Sequence, residues 1–315
     1  MFKKILLATT ASPNCNNAAK VAYDLKLKWN AKLIVFHVFG VHRSNYSPFD
    51  KDGEINRKKV SDEEYAALVI KEMRNIYDKE FEDAENIIFE TKIGRPSREI
   101  LRKANEENVD LIIMGAHTRE EGVGPLRLRS VVGDTMRRVA RSARCPVIII
   151  SRPCITCGRL FSTFESGWRI FPNIVFGTDF SQASDAAFLF AYKFAKNVGA
   201  RLYLFHALNI YHAGQIRQQT EIEKMIKDAK EKIEKKYIFQ LDGFDNYEVE
   251  VWEGIPYVEI LKFARQKNCD LIVLAHHTKI IESSLASFGS TIEQVVLRAT
   301  QPVASVNRLD SVSGL

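Results

Sequence analysis

The 315-residue sequence predicts an α/β protein of two tandem domains, each a parallel sheet with helices on both faces. Three observations carry that prediction. Short continuous apolar runs, such as Leu111-Ile112-Ile113 and Leu271 to Ala275, suit parallel strands buried on both faces. These runs alternate with amphipathic helical stretches, as strand–helix–strand units do. The chain also repeats itself. Asp110 and the run behind it answer Asp270 and its run. Cys145-Pro146-Val147 answers Gln301-Pro302-Val303, and Gly94-Arg95-Pro96 answers Gly254-Ile255-Pro256. The paired glycines and the paired aspartates both lie 160 residues apart, which marks an internal duplication.

The elements follow in order. Lys3 to Thr9 reads as strand one, Ala18 to Trp29 as a helix, and Ala31 to Phe39 as a β-branched second strand. Residues 40–60 are polar and loop-like. Ser61 opens a helix with a capping box to Glu64, expected to reach about Ala84. Asn86 to Lys92 is strand three. After the Gly94-Arg95-Pro96 turn, Ser97 to Asn105 is a helix with Pro96 near its start. Asp110 to Gly115 is strand four. A long loop, a helix over Asp134 to Ala143 and a strand over Pro146 to Ile150 complete the first half. The second half repeats this order, from the strand Asn173 to Thr178 through the long charged helix Thr220 to Tyr237 to the strand Val303 to Val306. Domain one is assigned to 1–151, a partly packed linker to 152–172 and domain two to 173–315. Ligands of such folds bind at the carboxyl ends of the strands, near the switch in strand order.

Composition narrows the function. With 46% hydrophobic and 27% charged residues the chain is an ordinary globular protein. A formal charge of +6 is mild for this length and argues for no DNA-binding role. No apolar run is long enough to span a membrane. Ile5 to Thr9 has an internal counterpart in Ile174 to Thr178, so the N-terminus reads as structure and not as a signal peptide. Five scattered cysteines make a disulfide framework an unsuitable reading, and the default compartment is the reducing cytoplasm.

In order and twice over, these features resemble the universal stress protein family in its tandem form. They are the first strand with its turn Thr178-Asp179-Phe180-Ser181, the Gly-x-Pro before a helix, the Asp-led fourth strand, the loop to Gly-Ser-Thr, and the closing Pro-Val strand. The resemblance implies Rossmann-like domains with five-stranded parallel sheets, and self-association through domain faces or edge strands. It also implies ATP binding, with Mg²⁺, through an Asp after strand one and a Gly-x2-Gly loop leading to Gly-Ser/Thr. Carried over to this chain, the implied cofactor-binding residues are Asp179, Ala207, Ala275, Thr278, Gly289, Ser290 and Thr291. Ala275 and Thr278 stand where the resemblance expects glycines. The first half departs further. Thr10 takes the Asp position, Thr118 follows the retained Gly115, and the loop to Gly133 is longer, with Gly122 and Gly124 inside it. Asp134 replaces the Ser, and an acid beside a triphosphate is repulsive. The expectation is a degenerate first half and a more competent second half.

Each candidate has a plainer reading. Gly289-Ser290-Thr291 either caps phosphates or simply caps a helix. Asp179 either bonds a ribose or caps the next helix. Cys154 and Cys157 form a Cys-x2-Cys pair, short of the four ligands a zinc site needs. His117 and His276 occupy equivalent places after strand four, with no serine and acid to make a triad. Arg127, Arg129, Arg137, Arg138, Arg141 and Arg144 form the strongest charge run and read first as a solvated basic face. The functional expectation is a stress-linked regulatory or protective module holding an adenine nucleotide in its second half, with no committed catalytic residue. Slow ATP hydrolysis remains compatible, since it needs only an oriented water. The alternative is an interaction scaffold that binds no nucleotide.

Overall fold

The structure, a computed structural model, describes residues 1–10, 15–39, 61–78, 81, 85–115, 118–121, 129–150, 170–209, 218–276, 291–308 and 312. It divides into two compact units, Met1–Arg152 and Pro153–Leu315.

The first unit runs β1 (Lys4–Ala8), α1 (Asn16–Trp29), β2 (Lys32–Phe39), α2 (Asp62–Tyr77), β3 (Ile87–Ile93), α3 (Pro96–Glu106) and β4 (Leu111–Gly115). It continues through β5 (Thr118–Glu121), β6 (Arg129–Val132), α4 (Asp134–Ser142) and β7 (Val147–Ile150). The main sheet has the order β7-β4-β1-β2-β3, with every pair parallel. Consecutive side chains of a strand point to opposite faces. Ile5, Leu6 and Leu7 are all fully buried, so both faces of the sheet are covered. Helix α1 packs on β1, β2 and β4, α2 on β3, α3 on β2 and α4 on β7.

The second unit runs β8 (Asn173–Gly177), α5 (Gln182–Val198), β9 (Arg201–Leu208), α6 (Gln219–Lys236), β10 (Tyr247–Glu253), α7 (Pro256–Gln266), β11 (Leu271–Ala275), α8 (Thr291–Arg298) and β12 (Val303–Val306). Its sheet order is β10-β9-β8-β11-β12, again parallel throughout. Strand order therefore reverses beside β1 in one unit and beside β8 in the other.

The repeated sequence marks have local causes. Asp110 Oδ2 accepts the N–H groups of Lys3 (2.6 Å) and Lys4 (2.8 Å), and Asp270 Oδ2 accepts that of Asn173 (2.9 Å). Each aspartate thus ties the start of the fourth strand to the start of the first. Gly94 and Gly254 carry φ of +155° and +139°, and a Cβ on either would sit 2.7 Å from the Cγ of Glu99 or Glu259. Only glycine fits that backbone with that neighbour. Asn30 and Gly199 end α1 and α5 in the left-handed conformation, the usual stop for a helix. The capping box of α2 is present: Glu64 N–H donates to Ser61 Oγ and Ser61 N–H to the Glu64 carboxylate.

Two expectations need correction. Helix α2 is bounded at Tyr77, before the expected end near Ala84; past it Phe81 stacks on Tyr77 at 5.6 Å and on Tyr23 at 4.9 Å. The stretch read as one long loop before Gly133 contains an antiparallel ribbon, with Thr118 opposite Val132 and Glu121 opposite Arg129.

Candidate functional site

The carboxyl ends of β9, β8 and β11 lie side by side at the strand-order switch of the second unit. Asp179 leaves β8, Ala207 is the penultimate residue of β9, and Ala275 is the last of β11. Three of the sequence-predicted residues are thus brought to one sheet edge. Thr291 is exposed and opens α8. His276 Nε2, just past β11, lies 4.0 Å from Glu293 Oε1 in the first turn of that helix. Thr278, Gly289 and Ser290 lie outside the described residues, as do Cys154, Cys157, His117, Gly122, Gly124 and Arg127.

The exit of β8 carries a hydrogen-bonded polar turn. Asp179 is exposed, and its Oδ1 accepts the Ser181 N–H (3.1 Å) and the Ser184 hydroxyl (2.5 Å). Ser181 is the N-cap of α5 and accepts the Ser184 N–H. Asp179 therefore does belong to a helix-capping turn. Its carboxylate is also exposed at the carboxyl end of the sheet, beside the switch in strand order.

Beneath that turn is a buried constellation the sequence reading missed. Thr178 Oγ1 and Tyr237 OH are 2.8 Å apart, and His206 Nδ1 is 2.7 Å from the Thr178 carbonyl. A carbonyl only accepts, so the imidazole proton sits on Nδ1. Burial pushes the His206 pKa below its ordinary value, with the bond to Thr178 opposing. Burial likewise raises the Tyr237 phenol far above its usual range. The first unit repeats the set: Thr9 Oγ1 to Tyr77 OH at 2.6 Å, and His37 Nδ1 to the Thr9 carbonyl at 2.9 Å. A readable signal existed, for Thr and His are 28 residues apart in both halves. Each set pins the end of the first strand to the second strand and to the last turn of the following helix.

Phe180, next to Asp179, has φ +63°. A left-handed non-glycine residue costs about 1–2 kcal/mol, so the surroundings must hold it there. Its N–H donates to Thr178 Oγ1 (2.9 Å) and its carbonyl accepts from Lys236 Nζ (3.0 Å). Its ring lies 4.5 Å from the His206 ring and 4.4 Å beneath Lys232 Nζ.

The same edge of the first unit is built differently. Thr10 replaces the aspartate, and its hydroxyl lies 3.4 Å from Cys15 Sγ. Asp134, the first residue of α4, accepts from Arg138 (2.7 Å) and Arg137 (3.3 Å), with Arg95 at 3.9 Å. Arg138 first, and then Arg137, hold its carboxyl below the usual range. The N-terminus of α4 thus carries an anion from its own chain, favourable against the helix dipole. Arg137, Arg138, Arg141 and Arg144 are exposed, and two of them are engaged with this carboxylate. Among the described residues no cluster of His, Cys, Asp and Glu could hold a metal, and no helix is long and apolar enough to cross a membrane.

Comparison with known proteins agrees with this architecture. The universal stress protein family model matches residues 1–151 and 171–307. A universal stress protein of Thermus aquaticus is 34% identical over 152 residues, covering 48% of this chain and 99% of that protein. The crystal structure of a universal stress protein from Archaeoglobus fulgidus covers 97% of this chain and 98% of its own, at 19% identity and a TM-score of 0.60, and so shares the fold over both units. A shorter universal stress protein, solved in complex with cAMP, is 20% identical and covers 43% of this chain and 97% of its own, at a TM-score of 0.35. With two family domains in succession, the chain belongs to the universal stress protein family in its tandem form.

Proposed function

We propose that this protein is a stress-response regulatory or protective module of the cytoplasm that holds one adenine nucleotide, in its second unit. The observation that carries the reading is the asymmetry between two otherwise matching strand edges. Both units pin the end of the first strand with the same Thr–Tyr–His set. The second unit alone follows it with an exposed carboxylate, Asp179, beside the small residues Ala207 and Ala275. Family membership supports ATP as the nucleotide, with Mg²⁺ accompanying its phosphates. In this reading Asp179 meets a ribose hydroxyl. Gly289, Ser290 and Thr291 meet the phosphates through backbone N–H and hydroxyl groups at the start of α8. In the first unit Asp134 stands at the corresponding helix start and repels a triphosphate.

One observation favours a second reading. Ala275 puts a methyl group at the end of β11, where the resemblance calls for a glycine that lets phosphate approach the backbone. If that methyl excludes the phosphates, the duplication serves as an interaction scaffold. The test is chemical. Protein purified without added ligand is denatured and the released small molecules are identified by mass spectrometry. About one adenine nucleotide per chain supports the first reading. No nucleotide, together with no heat on titration with ATP and Mg²⁺, supports the scaffold.

A further inference from the structure

The strained turn at the exit of β8 is held from outside by α6, and the ion pair that completes the hold has no counterpart in the first unit. Lys236 Nζ donates to the Phe180 carbonyl at 3.0 Å and pairs with Asp185 Oδ1 at 2.7 Å. Tyr237 OH donates to the same Asp185 oxygen at 3.3 Å and is 2.8 Å from Thr178 Oγ1, which accepts the Phe180 N–H. The bonds form a closed ring: Phe180 N–H to Thr178, Thr178 to Tyr237, Tyr237 to Asp185, Asp185 to Lys236, and Lys236 back to the Phe180 carbonyl. Both backbone polar groups of the left-handed residue are therefore fixed. Lys232 Nζ, one turn earlier on α6, lies over the Phe180 ring at 4.4 Å.

The conformation of Phe180 decides where Asp179 can point. The bond from Ser181 N–H to Asp179 Oδ1 spans Phe180 and closes only while that residue turns the chain as it does. The first unit shows what the ring depends on. Tyr77 bonds Thr9 as Tyr237 bonds Thr178, so the two tyrosines are equivalent. Ile76 precedes Tyr77 where Lys236 precedes Tyr237. Asn16 lies seven residues after Thr9 where Asp185 lies seven after Thr178. An isoleucine cannot donate, so the same ring cannot form.

We infer that Lys236, neutralised by Asp185, is a positioning residue: it latches Phe180 in its left-handed conformation and so holds Asp179 in the geometry that receives the nucleotide. The inference rests on the nucleotide reading for its consequence but not for the latch itself. Glycine adopts positive φ without strain, and this supplies a test that a merely structural ion pair would not pass. In the ligand-free full chain, amide hydrogen exchange over 178–181 is compared for wild type, Lys236→Met, Lys236→Arg and Asp185→Asn, each also in a Phe180→Gly background. ATP with Mg²⁺ is titrated into the same set by calorimetry. Lys236→Met is expected to speed exchange over the turn and to weaken ATP by about tenfold each. Asp185→Asn is expected to do so less, and Lys236→Arg to retain most of both. With Phe180→Gly present, Lys236→Met should change either quantity by less than about twofold, because the strain it held is gone. Unchanged exchange in Lys236→Met overturns the latch, and so does an equal loss in both backgrounds. If wild type takes up no ATP, the nucleotide reading falls while the exchange comparison still decides the latch.

Discussion

The two units carry the same sheet, the same buried Thr–Tyr–His set and the same glycine turn, yet their strand edges differ in charge. In the second unit Asp179 is exposed at the exit of β8, and the cations of α6 face the turn beside it. In the first unit Thr10 stands in that place, and the acid has moved to Asp134 at the start of α4, among three arginines. The lesson is that a duplicated fold keeps what closes the sheet and varies what lines its crevice. The shared features are buried and costly to alter. The varied ones are exposed or half-buried, where substitution costs less stability.

The comparison can be broken most directly at the helix starts. Gly289→Asp should weaken ATP by about a hundredfold or more, through added negative charge and a blocked backbone, while Gly133→Asp should leave it within about twofold. Calorimetric titration of both variants checks this, and equal losses would end the asymmetric account. Asp179→Ala should cost about tenfold in ATP affinity, through loss of a charged hydrogen bond, against no change for Thr10→Ala.

A second group of variants probes what the units share. Tyr77→Phe should lower stability by about 1–2 kcal/mol, since it removes the bond to the buried Thr9 hydroxyl, and Tyr237→Phe by at least as much, since it also removes the bond to Asp185. Denaturant midpoints measure it, and a smaller loss in Tyr237→Phe than in Tyr77→Phe would contradict the shared role of the two tyrosines.

The smallest effects are in pH. Burial depresses the folded pKa of both His37 and His206. The unfolded chain therefore binds protons first as pH falls below about 6.5, and the stability these histidines contribute is present above that pH and lost on acidification. Melting temperatures of His37→Gln and His206→Gln should show a flatter fall below pH 6.5 than wild type. Asp24 on α1 acts with the opposite sign. Burial raises its pKa to about 6, so its contribution is lost as pH rises from about 4 through 6. Lys193, donating to the Val312 carbonyl at 3.0 Å, takes the equivalent place on α5. Asp24→Asn should raise the melting temperature at pH 7 and leave it nearly unchanged near pH 4.

Much of the fold was legible in sequence because burial on both faces forces continuous apolar runs, and Leu111 to Ile113 and Leu271 to Val273 announce their strands. Asp110, Asp270, Gly94 and Gly254 were visible as repeated marks, and their bonds and backbone angles explain the repetition. The ribbon at Thr118–Glu121 and Arg129–Val132 was not legible, since four-residue strands leave almost no periodicity to read. Of the strand-end residues, the Asp179 turn follows the chain and could be read locally, and the Thr–His spacing was readable only as a repeat. Tyr237, His206, Asp185 and Lys236 come from three separate elements, and single-residue contacts between elements leave no local pattern. The helix holding Lys236 reads as solvated and self-paired, yet this lysine reaches across to Asp185. Lys235 and Glu231 do pair along the helix, at 3.8 Å.

The central claim is that one unit of two holds the nucleotide, and stoichiometry tests it most directly. ATP with Mg²⁺ is titrated by calorimetry into the full chain, into Asp179→Ala and into Thr10→Ala. The account predicts one site per chain, weakened by Asp179→Ala and untouched by Thr10→Ala. Two sites per chain, or one site lost with Thr10→Ala and kept with Asp179→Ala, would contradict it.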